Sequence, residues 1–213
     1  MTKDSSTGTA NADWTTSDAS AGRLVSGKLS AALGTGEQVA VYSNGTFIGY
    51  ATVAAGGTTW AITDTNGYSA SWTYTANVVD AVGNAGAVAT QVVTADLSAS
   101  APVITAVKFG STVLSSGSGN QTGSLTGTNT ASTTYAVTEI SGTSTEANGT
   151  PVYVYDNSTG NLIGTTTVSG GTWALTGLSI SGKGNNVFMA TQMDAAGNVS
   201  AVSNTHTINI DVS

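Results

Sequence analysis

One strip of this sequence occurs twice, and the second occurrence constrains the whole fold. Asp80-Ala81-Val82-Gly83-Asn84 returns as Asp194-Ala195-Ala196-Gly197-Asn198, 114 positions later. Other landmarks keep nearly that spacing: Ser26-Gly27 with Ser141-Gly142 at 115, Val39-Ala40-Val41-Tyr42 with Val152-Tyr153-Val154-Tyr155 at 113, Ile48-Gly49 with Ile163-Gly164 at 115, and Trp60-Ala61 with Trp173-Ala174 at 113. Drifts this small are loop insertions between two copies of one fold. A period of this length is too long for a solenoid unit, which needs its neighbours to bury a core, and it falls at the common size of an independent domain. The expected division is therefore 1–97 and 98–213, two domains that each bury their own core.

Composition narrows the partners. Charged residues are 8% of the chain, against roughly 25% in an average globular protein. Twelve acids against five bases leave a net charge of −7. Nucleic-acid binding needs clustered Lys and Arg to displace counterions from phosphates, and anionic membranes ask for the same, so both partners are excluded. There is no cysteine, so no disulfide closes the fold. No apolar run reaches the length of about 18 residues that a spanning helix needs. Met1-Thr2-Lys3-Asp4 lacks the apolar stretch of a secretory signal, and Ile208-Asn209-Ile210-Asp211 ends on the landmark that closes the first copy at Asp96. The expectation is a piece of a longer array of repeats, acting as a monomer.

The periodicity is two. Tyr68, Ala70, Trp72, Tyr74, Ala76 and Val78 alternate with polar residues, as a strand with one buried face requires. Counting back from the acidic loops places Phe188 opposite Tyr74 and Ala190 opposite Ala76. Further strands are expected near 23–29, 38–43, 47–54, 58–64 and 86–96, and near 103–109, 135–141, 151–156, 162–168, 172–176, 186–193 and 201–211. Turn residues at Asn44-Gly45 and from Asn157 to Gly160 separate them, and no ten-residue window has helical spacing with caps. The class is all-β: two tandem immunoglobulin-like β-sandwiches.

A strand opening on Ser-Gly, then Val-x-Val-Tyr, Ile-Gly-x-x-x-Val, Trp-Ala, Asp-x-x-Gly-Asn and a last strand ending in Asp resembles the bacterial immunoglobulin-like repeats of giant type I-secreted, RTX-type, biofilm-associated adhesins. The resemblance covers 24–98 and about 101–213, and Asp194-Ala195-Ala196-Gly197-Asn198-Val199-Ser200 is its most specific part. It implies secreted cell-adhesion modules on the bacterial cell surface, strung as spacers with calcium at their junctions, while distal modules bind surfaces. Two departures stand out. The linker reads Asp96-Leu97-Ser98-Ala99-Ser100-Ala101-Pro102, longer than the family's and with one acid. The first copy also has about 14 fewer residues ahead of its Ser-Gly landmark, so its first strand is expected to be truncated or missing.

Strand order gives the calcium expectation an independent footing. In a seven-stranded sandwich traced up and down, the loop after strand six returns to the pole where the chain comes in, which sets Asp194 and Asn198 beside the linker acid Asp96. These are oxygen donors for the shell of about six to eight that calcium takes. Asp80 and Asn84 would face whatever precedes the first copy, and Asp211 whatever follows the second, as weaker sites. The competing reading is an ordinary turn, since Asp and Asn beside Gly bond their own backbone.

Other features carry less chemistry. Trp60 and Trp173 read as core anchors; Trp14, in a polar run, reads as exposed; the lone His206 reads as structural. Ser115-Ser116-Gly117-Ser118-Gly119 reads as a long surface loop. One histidine on a strand, no Gly-x-Ser-x-Gly elbow and acids confined to turns give catalysis nothing to work with, so no enzyme is expected. Two functions remain: a spacer whose partners are neighbouring repeats of its own chain, and a binding module for a glycan, ice or a host surface protein. A binder should carry an aromatic or Thr-rich patch on one copy only, and Trp14, Trp72 and 115–134 hold the visible asymmetry.

Overall fold

The computed structural model describes residues 14–213, and every regular element among them is a β-strand. Two compact units divide between Leu97 and Ser98. The first holds β1 (Thr15–Thr16), β2 (Arg23–Lys28), β3 (Gln38–Ser43), β4 (Thr46–Val53), β5 (Thr59–Asp64), β6 (Trp72–Val79) and β7 (Ala89–Ala95). The second holds β8 (Val103–Phe109), β9 (Thr112–Ser116), β10 (Gln121–Gly127), β11 (Val137–Thr143), β12 (Pro151–Asp156), β13 (Asn161–Thr167), β14 (Thr172–Ile180), β15 (Gly184–Gln192) and β16 (His206–Val212).

The second unit is a sandwich of a five-stranded sheet, β10-β16-β15-β12-β13, and a four-stranded sheet, β14-β11-β8-β9. Its alternation is cleanest in β16, where His206, Ile208, Ile210 and Val212 are buried and the residues between them are not. Ile208, Ile210 and Val212 meet Ile104, Val107, Ile140, Trp173, Phe188 and Ala190 in one core. The inward facing of Phe188 and Ala190 is as the spacing requires.

In the first unit the seven strands run β1-β7-β6-β3-β4-β5-β2 as one sheet. The end of β4 pairs with β5 through Thr52–Ala61 and Val53–Trp60, so β5 and β2 fold back over the rest. Val25, Trp72, Tyr74 and Val93 form the core between the two layers.

Three features depart from the sequence reading. The run from Ser115 to Gly119, read as a long surface loop, begins inside β9 and is followed by β10, an unforeseen strand that pairs in parallel with β16 over seven residues, Gln121–His206 through Gly127–Val212. Its Gln-Thr-Gly-Ser-Leu-Thr-Gly sequence buries one large apolar side chain, Leu125, so no hydrophobic alternation advertises the strand. The same parallel pairing appears in short form as β1 on β7, and neither unit is a simple up-and-down trace. Finally, β6 begins at Trp72 and not near Tyr68. Tyr68 folds back to stack on Trp72, ring centroids 4.3 Å apart, and its hydroxyl donates to Asp64 Oδ2 at 2.7 Å.

Candidate functional site

The two acidic loops close in the same way. In the first, the Asp80 backbone amide donates to Asn84 O and the Gly83 amide to Asp80 O; Asp80 Oδ1 accepts from the Asn84 amide at 2.8 Å and Oδ2 from Asn84 Nδ2 at 2.7 Å. The second repeats each bond: Asp194 N to Asn198 O, Gly197 N to Asp194 O, Asn198 N to Asp194 Oδ1 at 2.8 Å and Asn198 Nδ2 to Asp194 Oδ2 at 2.7 Å. Gly83 and Gly197 turn these loops at φ of 93° and 87°, where a side chain would be strained. Hydrogen bonds from the Asn84 side chain and backbone hold the Asp80 carboxyl below the ordinary carboxylate value. The loops differ in burial, for Asp194 is 4% exposed whereas Asp80 is half-exposed.

Within the second unit, the Asp194 loop lies at the pole where the chain comes in. Gln192, two residues before Asp194, donates from Nε2 to Ser100 O at 2.6 Å and accepts at Oε1 from Ser144 Oγ. The incoming strand is clamped again by Asn204, whose Oδ1 accepts from Ile104 N at 2.8 Å and whose Nδ2 donates to Ile104 O at 2.9 Å. Since β16 starts at His206 opposite Phe188 and runs past Gly184, the chain leaves at the other pole, where Asp211 is exposed. Asp96 follows β7 in the first unit, with its amide donating to Thr16 O, at the end of β7 away from Asp80.

The structure thus brings Asp80 to Asn84 and Asp194 to Asn198, and within the second unit sets Asp211 apart from Asp194. Among the described residues no three His, Cys, Asp or Glu side chains cluster as a ready metal cage. Each loop carboxylate accepts two side-chain or backbone donors from its own Asn and has further lone-pair sites. The donor chemistry, hard oxygen, suits calcium; the rest of a shell would come from carbonyls, amide oxygens and water.

His206 is wholly buried. Its Nδ1 faces Ser115 Oγ at 2.7 Å and its Nε2 faces Gly117 O at 3.2 Å, so the neutral ring donates from Nε2 and accepts at Nδ1. Burial pushes its pKa below the usual histidine value. The partner of its second nitrogen is a backbone carbonyl, not a carboxylate, and the Ser115–His206 pair is a core hydrogen bond. Trp173 is a core anchor, 3% exposed, donating from Nε1 to Thr143 O at 3.1 Å. Its counterpart Trp60 is only half-buried. Trp14, expected to be exposed, is half-buried and packs against the core of the first unit, and Trp72 is buried within that core.

Three features of the first unit were not read from the sequence. Arg23 is buried with Asp64, Tyr74 and Trp72. Tyr42, Phe47 and Tyr50 form an edge-packed aromatic cluster on the β3–β4 hairpin, centroids 5.5 and 5.0 Å apart, with Phe47 47% and Tyr50 51% exposed. Tyr42 is matched by Tyr155, but the counterparts of Phe47 and Tyr50, at 162 and 165, are Leu and Thr, so the two exposed rings belong to one copy. The landmark spacing could have revealed it. The third feature is a cleft of ≈ 380 Å³ beside Gly27, Trp60, Ala76 and Ala89.

No protein-family model matches the sequence, and no curated protein does. Solved structures do match. The chain is similar to the fibronectin(III)-like modules of Clostridium thermocellum CbhA at 15% identity and a TM-score of 0.36, over 91% of this chain and 88% of that one. It is similar to the BSP domain of a biofilm associated protein at 20% identity and a TM-score of 0.35, over 92% of this chain but 28% of that one. The Ca2+-stabilized adhesin that helps an Antarctic bacterium reach out and bind ice matches at 18% identity and a TM-score of 0.39, over 92% of this chain and 50% of that one. All are likenesses of fold. Both units are immunoglobulin-like or fibronectin-like β-sandwiches, all-β throughout their described residues.

Proposed function

We propose that the chain is a pair of non-catalytic spacer repeats from an extracellular bacterial surface adhesin, holding a distal binding region away from the cell. The carrying observation is that the second unit receives the chain at one pole, clamped by Gln192 and Asn204, and releases it at the other beyond Val212. A module built this way adds its strand length to the reach of whatever is joined to it. The hydrogen-bonded repetition of the Asp80 and Asp194 loops supports a design that is copied for geometry. Calcium on Asp96, Asp194 and Asn198, which would stiffen the junction, is part of the proposal, with Asp80, Asn84 and Asp211 as lesser ligands toward further repeats.

Two measurements test it. Small-angle scattering should give a maximum dimension that changes when calcium is chelated; equal profiles with and without chelator remove the stiffening role. Calorimetric titration should give a one-site calcium isotherm that Asp194→Ala abolishes, and an absence of heat in the parent chain removes the metal altogether.

A second reading, a binding module, is favoured by the aromatic patch of Tyr42, Phe47 and Tyr50, because exposed rings on one copy alone serve no shared structural purpose. A glycan-array signal lost on Phe47→Ala or Tyr50→Ala would replace the spacer reading for the first unit.

A further inference from the structure

One β-bulge stands at the same place in both copies and carries different side chains. In the first unit the β3–β4 register shifts between Val41 and Tyr42, with Phe47 opposite Tyr42 and Tyr50 opposite Ala40. The second unit repeats the shift between Val154 and Tyr155, with Leu162 opposite Tyr155 and Thr165 opposite Tyr153. A bulge adds one residue to its strand and so brings positions three apart onto one face. Ile48 accordingly packs on the core while Phe47 and Tyr50 stand together outside it, ring centroids 5.0 Å apart. Since Leu162 and Thr165 occupy the equivalent positions, the hairpin folds without either ring.

The neighbours of the rings are hydroxyls and amides. Across the ladder Tyr42 faces Thr75, Ala40 faces Asn77, and Thr75 faces Thr90. The four strands that form this face, β3, β4, β6 and β7, hold no Asp, Glu, Lys or Arg, whereas their counterparts in the second unit include Asp156 and Asp211. No cation is present on these strands to meet an acidic ligand, and a chain of net charge −7 repels one. The size of the patch is equally telling. With Phe47 47% and Tyr50 51% exposed, the two rings offer about 200 Å² together, far below the roughly 800 Å² per partner of a stable protein interface.

We infer that the Phe47–Tyr50 face of the first unit is a subsite for a neutral polysaccharide, with pyranose C–H faces on the two rings and sugar hydroxyls on Thr75 and Asn77. The inference rests on the binding-module reading and narrows it from any glycan or surface protein to uncharged sugar polymers. The face of an aromatic ring is the negative side of its quadrupole, and C–H bonds polarised by the sugar oxygens are drawn to it. Thr and Asn side chains both donate and accept, as sugar hydroxyls do. A site of two rings holds one sugar segment weakly, so a polymer that offers many equivalent segments is the suitable probe.

The test is native affinity electrophoresis of the full chain in gels containing glycogen, galactomannan or hydroxyethyl cellulose, with alginate as the anionic polymer. Retardation by at least one neutral polymer and none by alginate is expected. The double variant Phe47→Leu with Tyr50→Thr, which installs the residues that the second copy carries on the same bulge, should weaken retardation at least tenfold; Phe47→Trp should keep it. Thermal melts check that the variants fold, and Tyr50→Thr alone reads the same loss should the double variant melt early. Absence of retardation in every neutral gel overturns the inference, as does retardation that the double variant leaves unchanged. Retardation by alginate alone, lost in the double variant, removes the neutral class while the binding-module reading stands. Self-association in sedimentation that the double variant abolishes also overturns it, since the rings would then join two copies.

Discussion

The guanidinium of Arg23 lies 3.6 Å from Asp64 Oδ2 inside the first unit, and neither side chain is exposed to solvent. Arg23 also donates to the carbonyls of Asp18 and Ser20 and covers the Trp72 ring at 4.3 Å, while Tyr68 and Tyr74 both donate to Asp64 Oδ2. Taking away one partner of such a pair strands the other charge in the core. Asp64→Leu should therefore cost the first unit about 3–5 kcal/mol in denaturant unfolding. Pairing it with Arg23→Met should restore only part of that, because the tyrosine hydroxyls lose their acceptor. A single-variant loss below about 1 kcal/mol would contradict the network.

The same carboxyl sets an acid limit. Burial pulls its pKa upward, but hydrogen bonds from Tyr74, Asn66 and Tyr68 outweigh that and hold it below the ordinary carboxylate value. A depressed folded pKa means the unfolded chain takes up the proton first. The contribution of Asp64 is complete above about pH 4 and drains away as pH falls through the lower folded value. Unfolding midpoints measured from pH 5 to pH 2 should fall for the parent chain and flatten for Asp64→Leu.

His206 acts at a milder pH and in the other unit. Its burial lowers the folded pKa from 6.5, so below that value the unfolded chain binds a proton that the folded chain resists. Stability of the second unit is full above about pH 6.5 and declines on acidification, with a slope of at most about 1.4 kcal/mol per pH unit. His206→Gln should remove the slope between pH 6.5 and 5. A slope that survives the change assigns it elsewhere.

The paired loops should respond unequally to the same substitution. Asp194→Ala leaves Asn198 N and Nδ2 without their acceptor in a largely buried setting, for a loss of about 1–3 kcal/mol. Asp80→Ala removes matching bonds at the surface, where water takes over, and should cost less. Equal melting shifts would mean that burial is not what separates them.

Gly142→Ala should be worse than Gly27→Ala. The first collides with the fixed backbone of β8 as well as Trp173, so its cost belongs at or above the upper end of the roughly 1–3 kcal/mol typical of overpacking. The atoms nearest the second all belong to the half-buried Trp60 ring, a side chain that can shift at less cost than a strand carbonyl. Comparing the two variants by denaturant unfolding checks how far the two glycine sites are equivalent.

Much of this was legible because the repeat supplied its own control. Landmarks such as Trp60 and Trp173 located the strands, and alternation put Phe188 and Ala190 inside. What escaped lacked a local signature. β10 is held by backbone pairing to a strand about 85 residues away and shows one buried Leu. The alternating run from Tyr68 to Val78 looked like unbroken strand because Tyr68 is apolar in the right register, although its hydroxyl is spent on Asp64. Arg23 reads as an exposed cation until Asp64, Tyr74 and Trp72 are brought around it by distant pairings. The acidic loops were found at once, yet that each Asn turns its Nδ2 to its own Asp is a matter of rotamer, invisible to spacing.

The parallel pairing of β10 with β16 bears on what happens when the second unit is pulled from its two ends. Once β8 and β9 have come away, the chain feeds β10 from its Gln121 end and leaves β16 from its Val212 end, so tension drives these neighbours in opposite directions along their length. Seven residue pairs then resist sliding together, instead of parting one after another as in a peeled hairpin. Among the described residues the equivalent pairing in the first unit is Thr15–Thr94 and Thr16–Ala95. On these pairs the seven-residue clamp of the second unit should yield at the higher force.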